Sequence, residues 1–159
     1  LQTDSRGSMH TEPLDYLGLE NVAQGQETSD FGRIGVSLDQ IIAWKPAVVL
    51  GCPEKTRPDG AWMPEWLDDS TWRQVPAVAN GRVYLIPGAP FNWLDRPPSA
   101  SRVLGLKWLL WVLYPDRVKF DMVAETREFY RLFYWYEMDE TEARALLDAS
   151  RPKLGGVAP

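Results

Sequence analysis

The sequence predicts an α/β protein with a mostly parallel sheet covered by helices on both faces and followed by a helical C-terminal section. Twice in the first ninety residues, a short helical segment precedes an apolar run, an order typical of parallel sheets covered by helices. From residue 99 onward, apolar residues recur at helical spacing. The 159 residues, 45% of them hydrophobic, are enough for one globular domain. We therefore assign residues 1–150 to this domain and 151–159 to a flexible tail.

The first helix–strand unit lies between residues 36 and 51. Ser37 and Gln40, three positions apart, form a capping-box signature, and apolar residues follow at helical spacing until Pro46 stops the helix. The apolar run 47–51 comes next and predicts a buried strand. The loop that begins at Cys52 then leaves the carboxyl end of this strand, which is where open α/β sheets bind ligands.

The other predicted elements are placed by turn and capping residues. A polar loop, a short helix ending at Gly18 and a second polar loop precede the first unit. The second unit has a short helix, an Asn80-Gly81 turn and a strand that ends at a Pro-Gly pair. Asp139, with Glu142 three positions later, opens the last helix. The predicted ranges are 1–7 and 24–32 for the loops, 69–75, 99–114 and 121–135 for helices, and 82–86 for the second strand.

Composition and motifs exclude several functional classes. With 17 Lys and Arg against 22 Asp and Glu, the net charge of −5 disfavours a nucleic-acid binder. The longest apolar helical stretch, 103–114, is shorter than the roughly 20 residues that cross a bilayer. There is no nucleotide-binding glycine loop, zinc-protease motif or hydrolase elbow. One histidine and one cysteine leave a transition-metal site dependent on carboxylates, so we predict neither catalysis nor a metal site.

The loop 89–98 combines two aromatic residues, an amide, an acid and an arginine directly after a predicted strand. In one interpretation, Asn92, Trp93 and Arg96 face a ligand, with the indole stacked on it and the guanidinium bound to its anionic groups. In the alternative, Trp93 packs inward and Arg96 pairs with Asp95 or caps a carbonyl. The residues alone leave both interpretations open.

Aromatic residues are abundant in the C-terminal section. Trp108 and Trp111 lie three positions apart on a predicted helix, a spacing that indicates the core. A later cluster is aromatic all round its helix, which predicts burial against more than one neighbour, part of it outside this chain. The cluster consists of Phe129, Tyr130, Phe133, Tyr134 and Tyr136.

Three ordered blocks resemble the periplasmic iron-complex binding proteins of ABC importers. They are VSLDQIIAWKPAVVL at 36–50, WRQVPAV followed by NGRVY within 72–84, and the block 92–109 that contains RPPS. Together with the start of the chain, the resemblance covers 1–147 and is to the C-terminal lobe only. It implies a three-layer Rossmann-like lobe and a missing N-terminal lobe that completes the cleft. Because the chain begins at Leu1 without a signal segment, we expect a fragment or a mature portion.

The resemblance also implies a function. Proteins of this family capture a metal chelate, such as a ferric siderophore, haem or a corrinoid, and deliver it to an ABC permease in the membrane. They carry no cofactor and work in the periplasm, in some cases with a lipid anchor. Asp39 stands where the family has a glutamate that docks on the permease. The ligand-binding positions that the resemblance and the loop chemistry indicate are Thr3, Arg6, Ser8, Asn92, Trp93 and Arg96.

Alternative functions remain open at this point. Within the same fold, the ligand is a bare oxyanion such as molybdate or tungstate, for which backbone amides and Arg6 or Arg96 suffice. In a second alternative, the chain is a small α/β enzyme with Asp95 or Asp4 as a general base. In a third, it is an interaction domain whose aromatic C-terminal helices form the contact surface.

Overall fold

The computed structural model describes residues 1–25, 32–52, 70–95 and 97–151. Two compact units form, one within Leu1–Val83 and the other beginning at Tyr84. The predicted α/β class is confirmed: the described residues contain helices and a small parallel sheet. The predicted division into a domain at 1–150 and a tail stays a prediction, since 152–159 lie outside the described residues.

The first sheet of unit 1 is an antiparallel pair. Strand β1 (Gln2–Asp4) lies against β2 (Arg33–Gly35), with Thr3 opposite Ile34. The sequence predicts a loop at the positions of β1 and no strand at those of β2, because three-residue strands of mostly polar residues show no alternating pattern. Their pairing is instead set by tertiary contacts, since Ile34 is buried with Ala23 and Val36.

The short helix α1 (Glu12–Tyr16) and the longer α2 (Leu38–Trp44) both lie in unit 1. The predicted capping box at α2 is confirmed. The Gln40 N–H donates to Ser37 Oγ at 3.2 Å, and the Ser37 N–H donates to Gln40 Oε1 at 2.8 Å. Lys45, with φ of 50°, closes the helix just before Pro46. Local sequence therefore determines both ends of α2.

The second sheet pairs β3 (Val49–Gly51) with β4 (Val83–Leu85), and the boundary between the units falls inside β4. A 3₁₀ helix (Ser70–Gln74) and α3 (Pro76–Ala79) precede β4. The predicted second strand is confirmed over a shorter range, and Val49 N–H donates to Arg82 O at 3.1 Å. The first predicted strand forms too, but β3 is half-buried, because it belongs to a sheet of only two strands among the described residues.

The core of unit 1 lies around these elements. Trp72 and Val75 are buried beside α3, and apolar residues of α2 and β3 pack on them. The cluster consists of Trp72, Val75, Ala77, Val78 and Val83, with Leu38, Ile41, Ile42 and Val49 against it.

The three predicted C-terminal helices of unit 2 are confirmed as α4 (Ser101–Leu113), α5 (Met122–Tyr134) and α6 (Glu140–Ala149). Asp139 and Glu142 form the predicted capping box of α6. Trp108 is fully buried, as its spacing predicts, and Trp111 is half-buried under the Arg151 guanidinium. No helix within the described ranges is both long and apolar enough to cross a membrane.

Candidate functional site

In unit 1, a polar turn follows β1 and contains two of the predicted ligand residues. Ser5 N–H donates to Gly32 O at 3.1 Å, and Arg6 N–H donates to Ala23 O at 2.9 Å. Thr11 Oγ1 closes the turn by donating to the carbonyl oxygens of Ser5 and Ser8, at 3.2 and 3.1 Å. The turn is thus held by hydrogen bonds from both sides, which fixes the position of its polar side chains.

Ser8 is buried in this turn with 7% of its surface exposed. Among the described residues its Oγ has no hydrogen-bond partner. A buried hydroxyl without a partner destabilises a fold by roughly 1–3 kcal/mol, so such groups are rare unless a ligand or water satisfies them. Gly32 packs closely against Ser8, since a Cβ at this glycine would lie 2.8 Å from Ser8 Cβ. The Ser8 hydroxyl can therefore donate a hydrogen bond to a ligand from a fixed position.

Arg6, next to this position, holds its guanidinium against the neighbouring loop. Its Nε donates to Asn21 O at 2.8 Å, and it forms an ion pair with Glu20. Both partners of that pair are well exposed, so the pair contributes at most about 1 kcal/mol. The guanidinium can therefore exchange Glu20 for a bound anion with only a small loss of free energy.

The structure places the other two predicted residues of unit 1 in regular elements. Thr3 lies within β1, half-buried and opposite Ile34, and not in a loop. Asp39 lies in the first turn of α2 with its side chain exposed. Their predicted roles, ligand contact for Thr3 and docking for Asp39, stay predictions.

In unit 2, the loop after β4 is shaped by Asn92. Its Oδ1 accepts hydrogen bonds from the N–H groups of Leu94 and Asp95, at 2.9 and 3.0 Å. The N–H of Trp93 donates to Pro87 O at 2.9 Å. The side-chain oxygen of Asn92 thus stabilises an Asx-type turn, which is a structural use of a residue predicted to bind ligand.

Trp93 lies in the interior of the loop, with no exposed surface. The interpretation in which its ring stacks on a ligand does not fit this burial, and the inward-packed alternative does, because a large indole gains most from leaving water. Burial raises the pKa of the adjacent Tyr130 hydroxyl. The Trp93 indole N–H lowers this pKa, and the nearby Tyr134 raises it further. The Tyr130 hydroxyl donates to Ala89 O and ties the loop to α5.

Asp95 is buried and pairs with Arg102, a residue that sequence reasoning missed. Arg102 Nη2 lies 3.1 Å from Asp95 Oδ1, and Arg102 Nε donates to Leu94 O at 2.9 Å. Arg102 lies in the first turn of α4, only seven positions after Asp95, and this short separation could have indicated the pair. The ion pair with Arg102 and the hydrogen bond from its own N–H to Asn92 Oδ1 make Asp95 a loop-positioning residue. Arg96 lies outside the described residues.

Within the described ranges, no group of three or more His, Cys, Asp or Glu side chains is placed to hold a metal ion. The hydroxyl and guanidinium donors of the turn at residues 5–11 are suited to binding oxygen atoms of an anion. This turn is the candidate binding site in unit 1. In unit 2, the predicted ligand residues that the structure describes lie in the loop at residues 87–95.

Comparisons with known proteins show that this chain is similar to parts of solute-binding proteins. No family model matches it. The molybdate-binding protein MolA of Haemophilus influenzae is 32% identical over 122 residues, which are 76% of this chain and 32% of MolA. A periplasmic solute-binding protein from Veillonella parvula superposes with a TM-score of 0.73 and 25% identity, over 93% of this chain and 44% of the other. The structure of MolA with bound molybdate gives a TM-score of 0.66 and 29% identity, over 87% and 40%.

The chain spans about a third of the curated relative and less than half of each solved structure. These relatives are solute-binding proteins, which is consistent with the prediction of no catalysis. They support the periplasmic binding class that the sequence predicts, but not the iron-complex type within it. The chain is therefore a homologue of periplasmic solute-binding proteins and has the fold of one of their lobes.

Proposed function

We propose that this chain belongs to the substrate-binding component of an ABC importer and that its ligand is an oxyanion of the molybdate or tungstate type. The observation that carries the proposal is the 32% identity to a molybdate-binding protein over three quarters of this chain. The predicted iron chelate has no comparable support, so the oxyanion alternative replaces it as the favoured ligand. The periplasm is the expected location, because the relatives are periplasmic.

The polar turn of unit 1 supports an oxyanion ligand. A tetrahedral oxyanion offers four oxygen acceptors and no donors, and its charge strengthens each hydrogen bond it accepts. Ser8 Oγ is a buried group whose hydrogen-bonding capacity is unused among the described residues, and Arg6 provides a cation nearby in sequence. Because the whole chain carries a net charge of −5, an anion has to be attracted by such local groups.

Isothermal titration calorimetry of the protein with sodium molybdate, tungstate, sulfate, a ferric siderophore and haem tests the proposed ligand. We expect saturable binding of molybdate or tungstate and no saturable binding of the two chelates. Binding of a chelate alone would return the ligand to the iron-complex class. A folded protein that binds none of the five would remove ligand capture by this chain from consideration.

The proposed permease partner is tested at Asp39. Replacing this exposed carboxylate by alanine is expected to abolish the stimulation of ATP hydrolysis by the cognate ABC permease in reconstituted vesicles. Molybdate affinity should stay unchanged, because Asp39 lies on α2 and not in the polar turn. Asp15→Ala, which removes another exposed carboxylate of unit 1, is the control and should leave stimulation intact. Equal stimulation by the Asp39→Ala and Asp15→Ala proteins would exclude Asp39 as a docking residue.

A further inference from the structure

The end of α5 carries an exposed aromatic patch, which we define as Leu132, Phe133, Trp135 and Tyr136. Trp135 is 92% exposed, Leu132 and Phe133 are each 53% exposed, and Tyr136 is 46% exposed. The sequence predicts that this cluster is buried on more than one side. The structure shows that Phe129 and Tyr130 are buried and that the patch beyond them is not. None of its four residues belongs to the predicted ligand-binding or permease-docking positions, and the aromatic C-terminal helices form the contact surface only in the interaction-domain alternative.

Trp135 occupies a position that favours glycine. It closes α5 with φ of 50°, and both its N–H and that of Tyr136 donate to Tyr130 O. This left-handed helix end is most often a glycine, and a bulky side chain there is uncommon because its Cβ crowds the backbone. With 92% of its surface exposed, the indole gains almost nothing from packing that would offset this crowding. Folding alone therefore gives no reason for a tryptophan at this position.

The patch is held in a fixed shape by the residues beneath it. The Phe133 ring stacks on buried Phe129 with the centroids 4.5 Å apart. Tyr136 meets the edge of buried Tyr130 at 6.4 Å, and its hydroxyl hydrogen-bonds Glu142 Oε1 at 2.6 Å. A partner that binds such a preformed surface loses less conformational entropy than one that must first order it.

The surroundings of the patch are acidic. The segment 127–144 contains five acidic and three basic residues, so its net charge is −2, and Arg127 Nε donates to Met138 O within it. Glu137, Asp139 and Glu140 follow the patch directly and are exposed. An anionic lipid surface is repelled by this charge, and so is the same face of a second copy of the chain. A segment with apolar side chains between lysines or arginines matches both the aromatic centre and the acidic rim.

We propose that the aromatic patch is a docking surface for a partner protein through a segment that carries apolar side chains flanked by Lys or Arg. Exposed aromatic groups in a preformed patch are the residues that dominate binding at protein interfaces. The acidic rim selects the sign of the partner's charge and accelerates association at low ionic strength.

The probe is a fluorescein-labelled amphipathic helical peptide with leucines on one face and arginines beside them, and its counterpart has glutamate in place of arginine. Fluorescence anisotropy should show saturable binding of the basic peptide, weakened at least tenfold by Trp135→Gly and weakened further at high salt. Thermal unfolding should show that Trp135→Gly is at least as stable as the parent, because glycine suits the left-handed position. Tyr16→Ala removes an aromatic residue that is 79% exposed on α1 and should leave peptide binding unchanged.

Four results would overturn the proposal. The first is equal affinity for the acidic peptide, and the second is binding that Tyr16→Ala and Trp135→Gly change alike. The third is concentration-dependent dimerisation in sedimentation velocity that Trp135→Gly abolishes, which would make a second copy the partner. The fourth is the absence of any binding of the basic peptide by a folded protein.

Discussion

Gly105→Ala is expected to lower the free energy of unfolding by about 3 kcal/mol, the upper part of the range for overpacking a filled core. A Cβ built on Gly105 lies 2.2 Å from the Trp93 carbonyl oxygen and 2.8 Å from Leu94 Cδ2. The nearest of these atoms is backbone, so no rotation of a flexible side chain relieves the clash. Helix α4 must move away from the loop, although alanine by itself favours a helix by roughly 1 kcal/mol over glycine.

Gly88→Ala is the matched control, because it lies in the same loop region and a Cβ there would meet no atom within 4 Å. Chemical denaturation of the three proteins should give a large loss for Gly105→Ala and a change within about 0.5 kcal/mol for Gly88→Ala. Equal unfolding free energies for all three proteins would contradict the close approach of α4 to the loop. The fluorescence of buried Trp93 should also change in Gly105→Ala, since its backbone is what the new methyl group contacts.

Ser8→Ala is expected to stabilise the ligand-free protein by about 1 kcal/mol and to weaken oxyanion binding at least tenfold. The gain arises because the variant no longer buries a hydroxyl that has no hydrogen-bond partner among the described residues. The loss arises because a hydrogen bond to a charged acceptor contributes roughly 1.5–3 kcal/mol, and 1.4 kcal/mol is a factor of ten in affinity. Thermal unfolding without ligand and calorimetric titration with molybdate measure the two effects separately.

Ser37→Ala should show the opposite pattern and serves as the control for Ser8→Ala. It removes the cap of α2, which costs about 1 kcal/mol of stability, and leaves the polar turn intact. If Ser8→Ala lowered stability and left molybdate affinity unchanged, the Ser8 hydroxyl would be a structural group and the proposed site in this turn would lose its main donor.

Helices α2 and α6 were predictable from local residues. Ser37 with Gln40, and Asp139 with Glu142, form capping boxes that depend on atoms three positions apart, so the sequence contains all the partners. The strands were less predictable. β1 and β2 are three residues long and pair across 29 to 33 positions, and neither shows the alternation that would have indicated a strand.

The sequence predicted which loops form the candidate site, but not what each residue in those loops does. Turn residues and the resemblance to binding proteins indicated the loops around Ser8 and Asn92. Sequence reasoning left open whether Trp93 faces a ligand, and the structure buries it under the loop. The sequence did not indicate that Asp95 pairs with Arg102, a contact that forms because α4 places this guanidinium against the Leu94 carbonyl as well.

By itself, the sequence determined the α/β class, the capped helices and the likeness to a periplasmic binding lobe, because these depend on short-range spacing and on ordered blocks along the chain. Only the tertiary structure decided which polar groups are left without a partner and which aromatic rings stay in water. Ser8 and Trp135 are ordinary residues in the sequence, and their significance arises from burial and exposure. Burial depends on the neighbours that packing brings from distant positions, and no local pattern encodes those neighbours.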